Sequence, residues 1–158
     1  MKYVALLRGI NISGKNKISM SELKSELENN KYQNVITYLN SGNVIFESSI
    51  DNKETIMKYI KKIIYGKFNL EIPIFIITTS ELENILKHCP NWWGTDNKEV
   101  YDNLIFIIPP TKYNEVYNTI GEPSKDIEKR KIPQLFSITT VVKCIISKKL
   151  TKDKKNLL

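Results

Sequence analysis

With one histidine and two isolated cysteines, Cys89 and Cys144, this sequence lacks the roughly four nitrogen or sulfur ligands that a structural zinc site takes. No C-x-x-C spacing occurs, and the two thiols are expected to be reduced. Apolar runs are short. The one in Met1 to Arg8 falls below signal-peptide length, and none approaches the roughly 20 residues of a membrane span. Arginine is scarce beside lysine, which weakens the case for bidentate phosphate recognition. These absences point to a cytoplasmic protein with no membrane partner, no metal and no cofactor.

What is present is ordinary for a soluble globule. The chain has 158 residues, 41% hydrophobic and 26% charged, enough for one domain or two small ones that bury roughly 68–70% of the unfolded surface. Its formal net charge is +7 and its pI about 9.3. Such a charge favours anionic partners, although a taste for Lys, Asn and Ile in an AT-rich genome gives the same balance.

Tyr3 to Leu7 is a continuous apolar run and predicts a strand covered on both faces. Ser19 and Glu22 form an S-x-x-E capping box, with Met20, Leu23 and Leu27 following at helical spacing. Val35 to Leu39 and Val44 to Glu47 read as a hairpin around Asn40-Ser41-Gly42-Asn43. Asp51 and Glu54 repeat the cap, before a helix carrying Ile56, Tyr59, Ile60, Ile63 and Ile64 toward Gly66; Pro73 then introduces the apolar strand Ile74 to Thr78. Strand, helix, strand, strand, helix, strand is the ferredoxin-like pattern, complete in residues 1–79. In 80–158 the pattern degrades: a helix capped by Ser80 and Glu83, a loop with Trp92 and Trp93, a strand Leu104 to Ile108, a helix over Tyr113 to Ile120, strand-like pieces between Ile132 and Ile146, and a lysine-rich tail. The fold class is therefore α+β, two ferredoxin-like (βαββαβ) units packed together, with the completeness of the second left open.

In that topology the loop after the first strand, the hairpin tip and the connection into the fourth strand share one end. Arg8, Asn11, Lys15, Asn16, Lys17, Asn40, Ser41, Gly42, Asn43 and Lys67 are thereby expected to converge as a polar, cationic site beside the start of the first helix, whose free N–H groups favour an anion. An anionic small molecule or nucleic acid is the expected partner. Solvated lysines and turn-forming Asn and Gly are the structural alternative.

Gly9 to Lys15 spells G-x-x-x-x-G-K, but Asn16 stands where Ser or Thr would hold magnesium and the capping box starts the helix later, at Ser19. RNA-recognition domains share the topology, yet their aromatic stacking platform is mostly missing. His88 and Cys89 are adjacent, about 100° apart on a helix, and read as a helix end rather than a nucleophile and base. No carboxylate pair is placed for acid/base work, so catalysis is not expected, although an enzyme acting on a phosphorylated small molecule and an interaction module using the tryptophans are the other readings.

Val4-Ala5-Leu6-Leu7-Arg8-Gly9-Ile10-Asn11, Gly14-Lys15-Asn16-Lys17-Ile18-Ser19-Met20 and Tyr38-Leu39-Asn40-Ser41-Gly42-Asn43-Val44-Ile45-Phe46 resemble the signature of a bacterial family catalogued only as domain of unknown function 1697. The resemblance runs from Met1 to about Lys129. It implies two ferredoxin-like parts and no particular reaction, and it places Arg8, Asn11, Lys15 and Asn40 to Asn43 in the family's motifs. Lys131 to Leu158 departs from the family's usual ending, and a truncated or frame-shifted C-terminus is the expectation there.

Overall fold

The computed structural model describes residues 1–38, 40, 42–89, 106–108, 110–120, 130–132 and 144–146. The chain divides into two units, Met1–Asn84 and Ile85–Leu158. The first holds β1 (Lys2–Leu7), α1 (Met20–Asn29), β2 (Gln33–Tyr38), β3 (Asn43–Glu47), α2 (Lys53–Phe68) and β4 (Ile74–Thr78), with α3 (Thr79–Lys87) running across the boundary. The four strands form one antiparallel sheet in the order β2-β3-β1-β4.

Strand alternation decides the core. Tyr3, Ala5 and Leu7 of β1, Val44 and Phe46 of β3, and Ile74 and Ile76 of β4 pack with Leu23 and Leu27 of α1 and Ile56, Ile60 and Ile64 of α2. Each of these aliphatic side chains is worth roughly 1.5–3 kcal/mol when fully buried. The alternate positions Val4, Phe75 and Ile77 are buried as well, as expected of strands covered on both faces. β2 differs: it is an edge strand along which only Val35 is buried, and a bulge with Asn34 at φ 50° breaks its register. Tyr32, just before β2, meets Phe46 edge-on at 5.0 Å; its hydroxyl has no hydrogen-bond partner, and burial, with Tyr59 second, pushes its phenol up to about 12.

The helix ends correct three expectations. α1 begins as read, with Ser19 Oγ accepting from Glu22 N–H at 3.3 Å. It ends in a Schellman motif, Tyr32 N–H to Leu27 O and Lys31 N–H to Glu28 O, both at 3.1 Å, which holds Lys31 at φ 70°. α2 is capped by Asn52 rather than Asp51: Asn52 Oδ1 accepts from Thr55 N–H at 2.9 Å, an equally good cap one residue later. The same helix passes through Gly66 and stops at Asn69, φ 52°, so Gly66 to Phe68 are its last turn and not a loop. Glycine costs a helix about 1 kcal/mol, which packing of Phe68 against the core offsets.

α3 starts earlier than Ser80. Thr78, the last residue of β4, is its cap: Thr78 Oγ1 accepts from Glu81 N–H at 3.1 Å while Glu81 Oε2 accepts from Thr78 N–H at 3.0 Å. An extended strand residue already has cap geometry, so β4 feeds α3 with no loop. Lys53 Nζ adds a bond to Glu81 Oε1 at 2.7 Å. Burial raises the Glu81 carboxyl, but the bonds from Lys53 and Thr78 outweigh it and hold the group below its ordinary value.

In the second unit α4 (Tyr113–Ile120) forms where the spacing places it, and β5 (Arg130–Ile132) pairs antiparallel with β6 (Cys144–Ile146). Phe106 to Ile108, expected as the end of a strand, are not in one; Pro109 and Pro110 follow at once and cannot donate to a ladder. Ile107 is buried there with Val116 packed against it. The Trp92–Trp93 loop, Leu104, the helix stop at Gly121 and Pro123, and the lysine tail lie outside the described residues. Among the described residues no helix is long and apolar enough to cross a membrane.

A carboxyl held below its ordinary value stabilises the fold above its unfolded pKa, near 4.5, and that contribution is lost as pH falls through the folded value. Glu81→Gln keeps an oxygen for the Thr78 N–H but loses the charge, so it should lower stability by up to about 1 kcal/mol at neutral pH through the weakened charge-assisted bonds, the half-exposed ion pair to Lys53 adding only tenths. Urea unfolding should show that difference shrinking at acid pH. An equal difference at both would refute the assignment.

Candidate functional site

Three segments meet where β1 ends. Leu7 N–H donates to Gly42 O at 2.9 Å and Arg8 N–H to Pro73 O at 3.0 Å. The register, Leu6 opposite Asn43 and Leu7 opposite Ile74, carries the β1–α1 loop, the β2–β3 tip and the approach to β4 to the same end of the sheet.

Between Gly9 and Lys17 the chain folds back as a miniature hairpin. Lys15 N–H donates to Ile12 O at 2.9 Å, and Ser13 (φ 48°) and Gly14 (φ 77°) occupy the two positive-φ positions of a tight hairpin turn. Asn11 N–H donates to Asn16 O at 3.1 Å, and Asn16 Nδ2 to Gly9 O at 2.9 Å. Buried Ile10 and Ile18 anchor the loop at its two ends. A phosphate-cradling P-loop is excluded by this geometry, because the Lys15 amide is spent within the turn and α1 starts only at Met20.

Asn11 locks the arrangement. Its Oδ1 accepts from Ile18 N–H at 2.9 Å, and its Nδ2 donates to Ile18 O and to Asn40 O, each at 3.0 Å. One amide thus ties the loop to the root of α1 and to the hairpin tip, using three of the four hydrogen bonds it can make. Its φ of 54° suits asparagine. Gly42, at φ 87°, is fixed for a second reason: a Cβ there would fall 2.7 Å from Ile10 Cδ1 and 2.9 Å from Leu7 Cβ.

Beside this clamp lies an open cleft of about 510 Å³, lined by Asn11, Gly14, Lys17, Ile18, Ser19, Met20, Ser21 and Asn40. Ser19 Oγ takes the Glu22 N–H, while the Met20 and Ser21 N–H groups make no hydrogen bond among the described residues. Arg8, Lys15 and Lys17 are exposed and form no ion pair among the described residues. Lys67 stands in the last turn of α2 with its Nζ 3.3 Å from Glu26 Oε1. Asn40 lines the cleft, Asn43 opens β3 half-buried, and Ser41 lies outside the described residues. Among the described residues no cluster of three or more His, Cys, Asp or Glu side chains could hold a metal. His88 and Cys89 follow α3, their N–H groups donating to Ile85 O at 3.1 Å and Leu86 O at 3.2 Å, as a helix end does.

Tyr38, which the sequence reading passes over as a hairpin residue, is 61% exposed at the end of β2. Its only signal in the sequence is its parity with Ile36 in the alternation.

A family model described as "Protein of unknown function (DUF1697)" matches residues 1–135. The conserved bacterial protein SP0830 from Streptococcus pneumoniae, a solved structure, is similar at 27% identity and a TM-score of 0.76, over 96% of this chain and 78% of that one. No curated protein matches.

Replacing Asn11 with alanine removes three hydrogen bonds and should cost about 2 kcal/mol. Asn11→Asp keeps the shape but aims a carboxylate at two carbonyl oxygens. It should cost at least as much at neutral pH and recover as pH falls and the new carboxyl protonates. Urea unfolding of both variants checks this; two variants within about 0.5 kcal/mol of the parent would show the clamp to be dispensable.

Proposed function

We propose that this chain, which belongs to the DUF1697 family of proteins of unknown function, binds an anionic ligand at the loop end of its first unit, without catalysis. The carrying observation is the cleft at the start of α1. Met20 and Ser21, whose helix N–H groups have no partner among the described residues, line it together with Lys17, and Arg8 and Lys15 of the same loop form no ion pair among the described residues. A helix N-terminus with lysine beside it stabilises phosphoryl or carboxylate oxygens through dipole and hydrogen bonds together. Among the described residues neither a carboxylate, a histidine nor a cysteine lines the cleft, which favours binding over turnover.

The same reading takes the two halves as ferredoxin-like units. The βαββαβ order and the β2-β3-β1-β4 sheet support it for the first, and helix α4 with the β5–β6 pair supports it more weakly for the second. Isolated cysteines suit the reducing cytoplasm.

Calorimetric titration with inorganic tripolyphosphate at low and moderate salt tests the reading. Binding should weaken with salt, and the Arg8→Ala, Lys17→Ala double variant should bind several-fold more weakly with a flatter salt dependence. No binding, or equal binding by the double variant, would overturn it.

A further inference from the structure

We infer that the anion taken at this end of the sheet is single-stranded nucleic acid, a base stacking on Tyr38 while its phosphates meet the neighbouring cations; this rests on the anion-binding reading above. The geometry starts from the sheet's two faces. Tyr3, Ala5, Leu7, Val35, Val44 and Phe46 point into the core shared with α1 and α2, so Leu6, Asn43 and Tyr38 lie on the opposite face. The register sets those three in one cross-strand row, with Val4, Ile45 and Ile36 in the next. Continuing the alternation past Leu7 puts Arg8 on that face too.

On β1 and β4 this face is buried, through Val4, Phe75 and Ile77, and toward β2 it opens. Ile36 is 53% and Tyr38 61% exposed. An exposed aromatic face accepts any base, and stacking of this kind supplies much of the affinity of sequence-tolerant single-strand binders.

Charge selects the occupant. Residues 8–17, 33–38 and 39–43 contain no Asp or Glu, while Arg8, Lys15 and Lys17 are exposed and unpaired among the described residues, in a chain of net charge +7. The cations are also spread along the loop from Arg8 to Lys17. Lys17 lines the cleft at the start of α1, on the helix-covered face, whereas Tyr38 and Arg8 lie on the other. The hairpin tip separates them, tied to the loop through the bond from Asn11 to Asn40. A flexible polyanion carrying aromatic bases can cross that tip and use both sides.

Fluorescence anisotropy with labelled oligo(U) and oligo(dT) of about 12 nucleotides, at two salt concentrations, decides it. Tyr38→Ala should weaken binding about tenfold and Tyr38→Phe should not, while Arg8→Ala with Lys15→Ala flattens the salt dependence. Tyr38 is exposed, so both substitutions leave the fold intact. Tyr38→Ala binding oligonucleotide as the parent does, with tripolyphosphate binding still lost on removing Arg8 and Lys17, would overturn the nucleic-acid assignment and leave the anion site standing. Tripolyphosphate binding indifferent to those cations would overturn both. A ligand-free dimer on size exclusion that Ile36→Lys dissociates would assign the open face to a second copy of the chain and also overturn the assignment.

Discussion

The Asn11 carboxamide is the group on which the loop end depends. It bonds both main-chain groups of Ile18 and the carbonyl of Asn40, so the start of α1 and the tip of the β2–β3 hairpin are positioned by the same side chain. The loop between β1 and α1 is otherwise held by its turn, by the Asn16 bonds and by buried Ile10 and Ile18. Because the clamp consumes polar groups, it separates two kinds of residue that look alike in the sequence. Asn11 and Asn16 hold the backbone; Arg8, Lys15 and Lys17 are left for whatever comes from outside.

The sheet supplies the rigid platform. β1, inside the sheet, and β4, at the edge away from β2, are buried on both sets of positions, and α2 adds Ile56, Ile60 and Ile64 in a single stripe. Toward β2 the packing thins, and side chains that would elsewhere be core stand in solvent. The open part of the face lies next to the cationic loop, so the least covered apolar surface and the least compensated charge share one end of the first unit. That juxtaposition, more than any one residue, is the reason to look for a ligand there.

Much of this was legible from the residues. The element order of the first unit followed from apolar runs and caps, and the meeting of the two loops followed from the topology alone. Cap positions slipped by one or two residues at Asn52 and Thr78, because neighbouring Asx, Ser and Thr residues cap equally well and only tertiary packing chooses between them. Lys67 falls in a helical turn and not in a loop for a related reason: Gly66 reads as a stop, but Phe68 packing carries the helix past it. The role of Asn11 was invisible, since its partners are main-chain atoms seven and twenty-nine residues away. The exposure of Tyr38 was equally hidden, because a period of two shows which residues share a face and not whether that face is covered.

The most direct test of the clamp is amide hydrogen exchange at Ile18, read by NMR in the unliganded protein. Ile18 precedes α1 and has no helical acceptor, and Asn11 Oδ1, 2.9 Å away, is the acceptor of its N–H among the described residues. Exchange slowed to the level of the α1 amides would establish the clamp as a standing feature of the fold. Exchange as fast as at Ser13, in the exposed turn of the same loop, would contradict it.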